Sequence, residues 1–203
     1  MPNTKLNFVL ICNYGIVDET IRTATEWQGL IEYYNQISQH LNNDNKNTAL
    51  ILCGGYTNPS KPNISEAESA KNYLKQHTSS LKTFNILTEN ISQNSLENLV
   101  FGIMTLRSLI KQEKTNSTPK PNIDIIIICD IPRQAKIQFI IDEILKPALN
   151  EARYQFNFQA IALKREDIHF KSNQLEQVKE IEKLKNNNLV KIYQDLLKAS
   201  YAI

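Results

Sequence analysis

The chain has 203 residues, enough for one well-buried core, and nothing in its composition requires a second domain. With 23 Lys+Arg against 21 Asp+Glu, the formal net charge is +2, so no strong long-range field steers the chain to nucleic acid or anionic lipid. Three cysteines, an odd number lying in strand-like sequence, fit a reduced cytoplasmic compartment better than a disulfide framework.

The N-terminal stretch MPNTKLNFVLICNYG carries an apolar run of only a few residues and no small-residue cleavage site behind a charged leader, so it does not read as a secretory signal. The first strand is expected over 8–12. A helix then follows over 19–41, with Asp18 as its N-cap and with Ile21, Trp27, Leu30, Ile31, Tyr34, Ile37 and Leu41 at the spacing of one buried stripe. A second strand over 49–53 ends in Gly54-Gly55. Pro59 and Pro62 keep the next loop from continuing any helix, and Ser65-x-x-Glu68 opens the second helix as a capping box, running to about His77. A third strand covers 83–88. Asn94 or Ser95 starts the third helix, which buries Leu96, Leu99, Val100, Ile103, Leu106 and Ile110 before the Lys/Asn/Ser/Pro stretch 114–122 ends it.

The fourth strand, 123–129, belongs to the most hydrophobic segment of the chain. That segment is interrupted by Asp124 and Asp130 and is far shorter than the roughly 20 residues that cross a bilayer, so no membrane span is expected. A helix over 133–152, a fifth strand over 158–163 and a helix over 174–199, with a break at 186–188, complete the series. Basic residues gather after Leu163, but interleaved glutamates make them a solvated helix face.

Apolar runs alternating with amphipathic stretches predict a Rossmann-like, three-layer α/β/α fold with a mainly parallel five-stranded sheet, buried on both faces. Residues 1–203 are expected to form one unit, with 174–203 as a C-terminal helical segment. Right-handed crossovers put all the strand C-termini along one edge, where loops 13–18, 54–64, 89–94 and 130–133 meet. That edge is the expected site.

Two helix tips, at Ser65 and Ser95, are expected to point free N–H groups and positive dipole ends at a ligand. Glu66, Glu68, Glu89 and Glu97 lie in or beside the same turns and oppose a bare phosphate. The balance is restored by a divalent cation, by Arg133 and Arg107 if they reach the pocket, or by a ligand offering hydroxyl or amino donors, which suits the carboxylates best. Glu68 and Glu97 also read, taken singly, as ordinary first-turn capping acids. The glycine pair reads either as a turn needing positive φ or as a close approach of backbone to ligand. There is no G-x-G-x-x-G and no P-loop. Cys12, Cys53 and Cys129 end three strands, but no C-x-x-C or nearby His supports a metal, and they read as small buried hydrophobes. His40, His77 and His169 fall away from the edge, as surface or capping histidines.

The order of these pieces resembles the YdcF/SanA/ElyC-like family: Gly54-Gly55, then Ser65-Glu66-Ala67, Glu89 at a strand end, and Ser92-x-x-Ser95-x-Glu97-Asn98. The match spans much of residues 8–136. It implies a Rossmann-like fold and a ligand site at Gly54, Gly55, Ser65, Glu66, Glu89, Ser92, Ser95, Glu97 and Asn98, with Arg133 for a carboxylate or phosphate. Members similar to YdcF are associated with S-adenosylmethionine, which makes that molecule the candidate ligand; no reaction is established for the family at large. Two departures stand out. The usual threonine before Glu-Asn is missing, with Ser95 and Leu96 in its place, and the segment after the fourth strand keeps Arg133 but lacks the family's histidine.

The expectation is therefore a soluble, cytoplasmic protein that binds a small nucleotide-like ligand, as a transferase or hydrolase with unassigned catalytic residues and no resident metal. The alternative is a non-enzymatic ligand sensor or interaction protein, with a homodimer through the stripe Leu175, Val178, Ile181, Leu184, Leu189, Ile192 and Leu196; packing of that stripe on its own sheet is the competing arrangement. Metal-assisted phosphoester hydrolysis at the glutamates is a third reading.

Overall fold

A computed structural model describes residues 5–13, 15–17, 25–42, 48–59, 61–79, 81, 84–110, 122–150, 154–164 and 170–201. Five strands, β1 (Lys5–Cys12), β2 (Thr48–Cys53), β3 (Asn85–Glu89), β4 (Asn122–Asp130) and β5 (Gln155–Leu163), form one sheet in the order β3-β2-β1-β4-β5, and every neighbouring pair is parallel. Helices α1 (Thr25–Asn42), α2 (Glu66–His77), α3 (Ser95–Ile110), α4 (Gln134–Ile140), α5 (Lys146–Leu149), α6 (Phe170–Asn186) and α7 (Leu189–Tyr201) surround it, giving the three-layer Rossmann-like fold.

The near-continuous apolar character of the inner strands follows from their burial on both faces. Val9, Ile11, Leu50 and Leu52 pack against α1 and α2 through Tyr33, Ile37, Ala70 and Leu74. Phe8, Leu10, Cys12, Ile51, Cys53, Ile125 and Ile127 point the other way and meet α3, α4, α5 and α7 through Leu99, Ile103, Ile140, Leu149 and Leu197. The edge strand β5 alternates, exposing Gln155, Asn157 and Gln159 on one face. It begins three residues earlier than its apolar run suggests, because half-exposed polar positions still pair with β4.

The expected helix over 133–152 is interrupted. Ile131–Arg133 make a 3-10 turn, and between α4 and α5 the residues Ile141–Leu145 form a π-helical turn just before Pro147. Proline has no N–H to donate to the carbonyl four residues back, and the widened turn accommodates it. That carbonyl, on Glu143, accepts instead from Gln194 Nε2 of α7 at 2.6 Å. The expected break at 186–188 is present, with Asn188 at φ 53°, but α6 starts earlier than expected, at Phe170. Asp18, Ile21 and His169, and the stretch 114–121, lie outside the described residues. Among the described residues no helix is long and apolar enough to cross a membrane.

Candidate functional site

The sheet order places a topological switch point between β1 and β4, where crossovers depart to opposite sides and a crevice opens at the strands' carboxyl ends. Here that crevice is filled by protein. Arg133, buried after β4, donates from Nε to Asp130 Oδ1 at 2.6 Å, from Nη1 to Asn13 O at 3.1 Å and from Nη2 to Cys12 O at 2.9 Å. Tyr33 of α1 donates its hydroxyl to Cys12 O at 3.1 Å from the same region. Burial works against the guanidinium charge, but the Asp130 charge, neighbouring Tyr33 and Cys12 and the Asp130 hydrogen bond together more than offset it, so Arg133 stays firmly protonated. The arginine thus closes off the ends of β1 and β4, with three of its N–H groups engaged by the chain itself.

On the β2 side, backbone and side chains join two turns. Gly54 N donates to Glu89 O and Gly55 N to Ser92 O, while Gly55 O and Gly54 O accept from Glu66 N and Ala67 N at 3.0 Å each. Ser65 Oγ accepts from Glu68 N at 3.1 Å, and the Glu68 carboxylate reaches back to Ser65 N, completing the expected capping box. The first three N–H groups of α2 are therefore satisfied internally, which corrects the expectation that this tip offers free donors. A Cβ on Gly55 would lie 2.3 Å from Ser92 O and 3.0 Å from Asn90 O, so the close approach that requires glycine here is to the chain's own β3–α3 turn.

The β3–α3 turn is organised the same way. Glu89 Oε1 accepts from Ile91 N at 2.6 Å and Ser92 N at 2.9 Å, while its Oε2 is buried without a partner. Ser92 Oγ donates to Asn98 Oδ1, and Ser65 Oγ donates to Asn90 Oδ1 at 3.0 Å, tying the two turns together. Asn94 is the N-cap of α3, its Oδ1 accepting from Leu96 N and Glu97 N at 3.0 Å each, and Ser95 is the first helical residue. Glu97 accepts from Gln93 N at 2.7 Å and from Tyr193 OH of α7 at 3.3 Å. Arg107 sits in the last turn of α3, at the end away from this edge, where its charge acts on Tyr201.

Glu66 differs from the other three glutamates. Its carboxylate projects from the start of α2 toward the β1 loop, accepting from Thr57 Oγ1 and from the Gly15 backbone. Burial raises its pKa, opposed by the Thr57 hydrogen bond, the Arg133 charge and the Gly15 bond, in that order. Gly54 stands at its flank with φ +155°, and a Cβ there would be 2.9 Å from Glu66 Oε2 and 3.3 Å from Asn13 Cβ. Glu66 and Asn13 therefore both crowd the position that a side chain on Gly54 would take. Asn13 is 1% exposed; its Oδ1 accepts from Tyr34 OH at 3.1 Å, and its Nδ2 has no hydrogen-bond partner.

The structure thus gathers Gly54, Gly55, Ser65, Glu89, Ser92 and Asn98 into one buried network, sets Glu66 within the field of Arg133, and turns Glu97 outward to α7. Sequence reasoning missed Asn13, Thr57, Tyr33 and Tyr34. Asn13 directly follows an apolar strand and opens the edge loop 13–18, the only signals it carries, and Tyr34 reads as an ordinary member of a helix stripe that does not include Tyr33. The three thiols share one core face, and burial pushes Cys12 and Cys129 up to about 12. No group of three metal-ligating side chains occurs among the described residues. His77 stacks on Tyr73 at the end of α2 and its Nδ1 contacts Tyr73 O, a helix-end role. No protein-family model matches the chain, and neither a curated protein nor a solved structure matches it.

Proposed function

We propose that this chain binds a small hydroxyl- or amine-bearing molecule at the carboxyl edge of its sheet, with Glu66 as the acceptor and the Asn13 amide as the donor beside it. The observation that carries this reading is that juxtaposition: a desolvated carboxylate and the side chain of Asn13, whose buried Nδ2 has no partner, both packed against Gly54. A single hydroxyl can donate to one and accept from the other, satisfying a donor whose burial is otherwise costly. A polyphosphate suits the pair poorly, because it would meet the Glu66 charge while the buried Arg133 guanidinium is engaged by Asp130 and by the carbonyls of Cys12 and Asn13.

S-adenosylmethionine is the candidate, as the YdcF-like motif order implies and as its ribose hydroxyls and cationic amino and sulfonium groups suit a carboxylate. In this reading the protein is a soluble, cytoplasmic YdcF-like protein. Titration calorimetry with S-adenosylmethionine, adenosine and ATP tests it. Binding of the first two, weakened by at least about tenfold in Glu66→Gln through loss of a charge-assisted hydrogen bond, is the expected result. Tighter binding of ATP, or equal affinity in Glu66→Gln, would remove Glu66 from the site.

A second reading, a ligand sensor without turnover, is favoured by a specific observation. Glu68, Glu89 and Glu97 spend their carboxylates on backbone N–H groups of their own turns, which leaves Glu66 as the one motif acid turned away from its own turn, toward the β1 loop. Ligand binding without consumption of S-adenosylmethionine would support the sensor; transfer or hydrolysis products would support the enzyme.

A further inference from the structure

β5 ends the sheet on the side away from β3, and its nine residues read QFNFQAIAL, with no charged residue and no proline. Those are the devices by which edge strands commonly resist pairing. The opposite edge, β3, has only five residues and closes on Glu89. Gln155, Asn157 and Gln159 are exposed on one face of β5. On the other face Phe156 and Phe158 are half-buried, their rings stacked with centroids 6.2 Å apart, and Phe156 meets Tyr201 of α7 edge-on at 5.5 Å. Both phenylalanines also line a surface concavity of about 490 Å³, so the rings are reached from outside. Asn157 donates from Nδ2 to Asp124 Oδ1 of β4 at 2.9 Å, which fixes the middle amide of the row. Past Leu163 the backbone of Lys164 is taken up by Gln36 of α1, through Nε2 at 2.7 Å and Oε1 at 3.2 Å, so the edge stops there.

We propose that β5 pairs with β5 of a second copy of this chain, antiparallel about a two-fold axis at Asn157, joining the two sheets into one. An edge strand presents a row of backbone N–H and C=O groups, and what satisfies such a row is another strand. The sequence says which strand: Gln155-Phe156-Asn157-Phe158-Gln159 reads the same in both directions. Antiparallel pairing about its centre sets Gln155 opposite Gln159 of the second copy, Phe156 opposite Phe158 and Asn157 opposite Asn157. Residues directly opposite share a face, so amides meet amides on one side of the joined sheet and rings meet rings on the other. An unrelated strand gains nothing from the palindrome, whereas a two-fold partner makes each contact twice, and the isologous pairing closes at two copies.

Sedimentation equilibrium of the full chain should show a dimer. Gln155→Lys with Gln159→Lys, both at exposed positions, sets like charges opposite one another twice and should weaken dimerisation by at least about tenfold; Gln155→Glu with Gln159→Glu should do the same. Mixed together, the two charged chains should form a heterodimer, because every introduced charge then faces its opposite. Hydrogen exchange should show amides within 155–159 protected in the dimer and released on dilution. Glu66→Gln should leave dimerisation unchanged, which separates this interface from the ligand site. A chain that stays monomeric at every concentration would overturn the proposal, whether those amides exchange freely or are held by the chain's own segments. So would a dimer that both charged variants retain at full strength, or two folded charged chains that fail to pair with each other.

Discussion

Glu66 shows what a carboxylate does when the local backbone has no use for it. Glu68 was readable from the Ser65-x-x-Glu68 spacing, because a capping box is a local device and local devices leave local patterns. Asn94 as the N-cap of α3 was readable only to within one residue, since Asn94 and Ser95 are both good caps. Asn13 was readable only as the first residue of the edge loop 13–18: its particular role comes from Gly54 and Tyr34, brought to it by the fold from 41 and 21 residues away. The chemistry at Glu66 is testable by pH. Folding raises its pKa through burial, so a ligand donor that needs the ionised form should lose affinity as pH falls through that raised value, by at most about tenfold per pH unit. The same shift means that the folded chain holds this proton to higher pH than the unfolded chain. Its contribution to stability therefore diminishes as pH rises from the unfolded pKa through the folded one. Glu66→Gln removes that loss, so urea denaturation should show the variant gaining on the parent as pH rises across this window and running parallel to it below.

Strands and helices were legible wherever one face or both are apolar. The expected positions 8–12, 49–53 and 123–129 fall inside β1, β2 and β4, because strands buried on both sides have nowhere to put a polar residue. The first three residues of β5 escaped notice because Gln155 and Asn157 face outward at the sheet edge. The helix expected over 133–152 runs through Pro147, but by a π-helical turn that recruits Gln194 to the abandoned Glu143 carbonyl, a partnership between helices that no single segment reveals. Gln194→Ala should therefore cost about 0.5–1 kcal/mol, the net worth of one partly exposed hydrogen bond. In a Pro147→Ala background, where residue 147 regains its N–H and can bond Glu143 itself, the same change should cost measurably less. A double-mutant cycle by chemical denaturation reads the difference.

At the scale of the whole molecule, Arg133 joins the two halves of the sheet at the point where they diverge. The sequence placed Arg133 at the edge but offered it to a ligand; the structure spends three of its N–H groups on Asp130 and the last carbonyls of β1. What hid this role is topology: only the order β3-β2-β1-β4-β5 sets residue 133 beside residues 12 and 13. Arg133→Met should cost about 3–5 kcal/mol, because it strands a buried carboxylate and two strand-end carbonyls. Arg133→Met with Asp130→Leu should recover part of that loss, and a thermal melt of the three chains orders them. With the switch point closed by protein, the proposed binding site lies one strand over, at the ends of β1 and β2 where Asn13 and Glu66 pack against Gly54.

A titration of the ¹⁵N-labelled chain with S-adenosylmethionine and adenosine, followed by amide correlation spectra, addresses that placement directly. The account predicts that the Asn13 side-chain amide pair and the backbone amides of Gly15 and Thr57 shift together in a saturable way, and that Glu66→Gln weakens the response. Shifts clustered on other strands, or an unchanged Asn13 amide under saturating ligand, would contradict it.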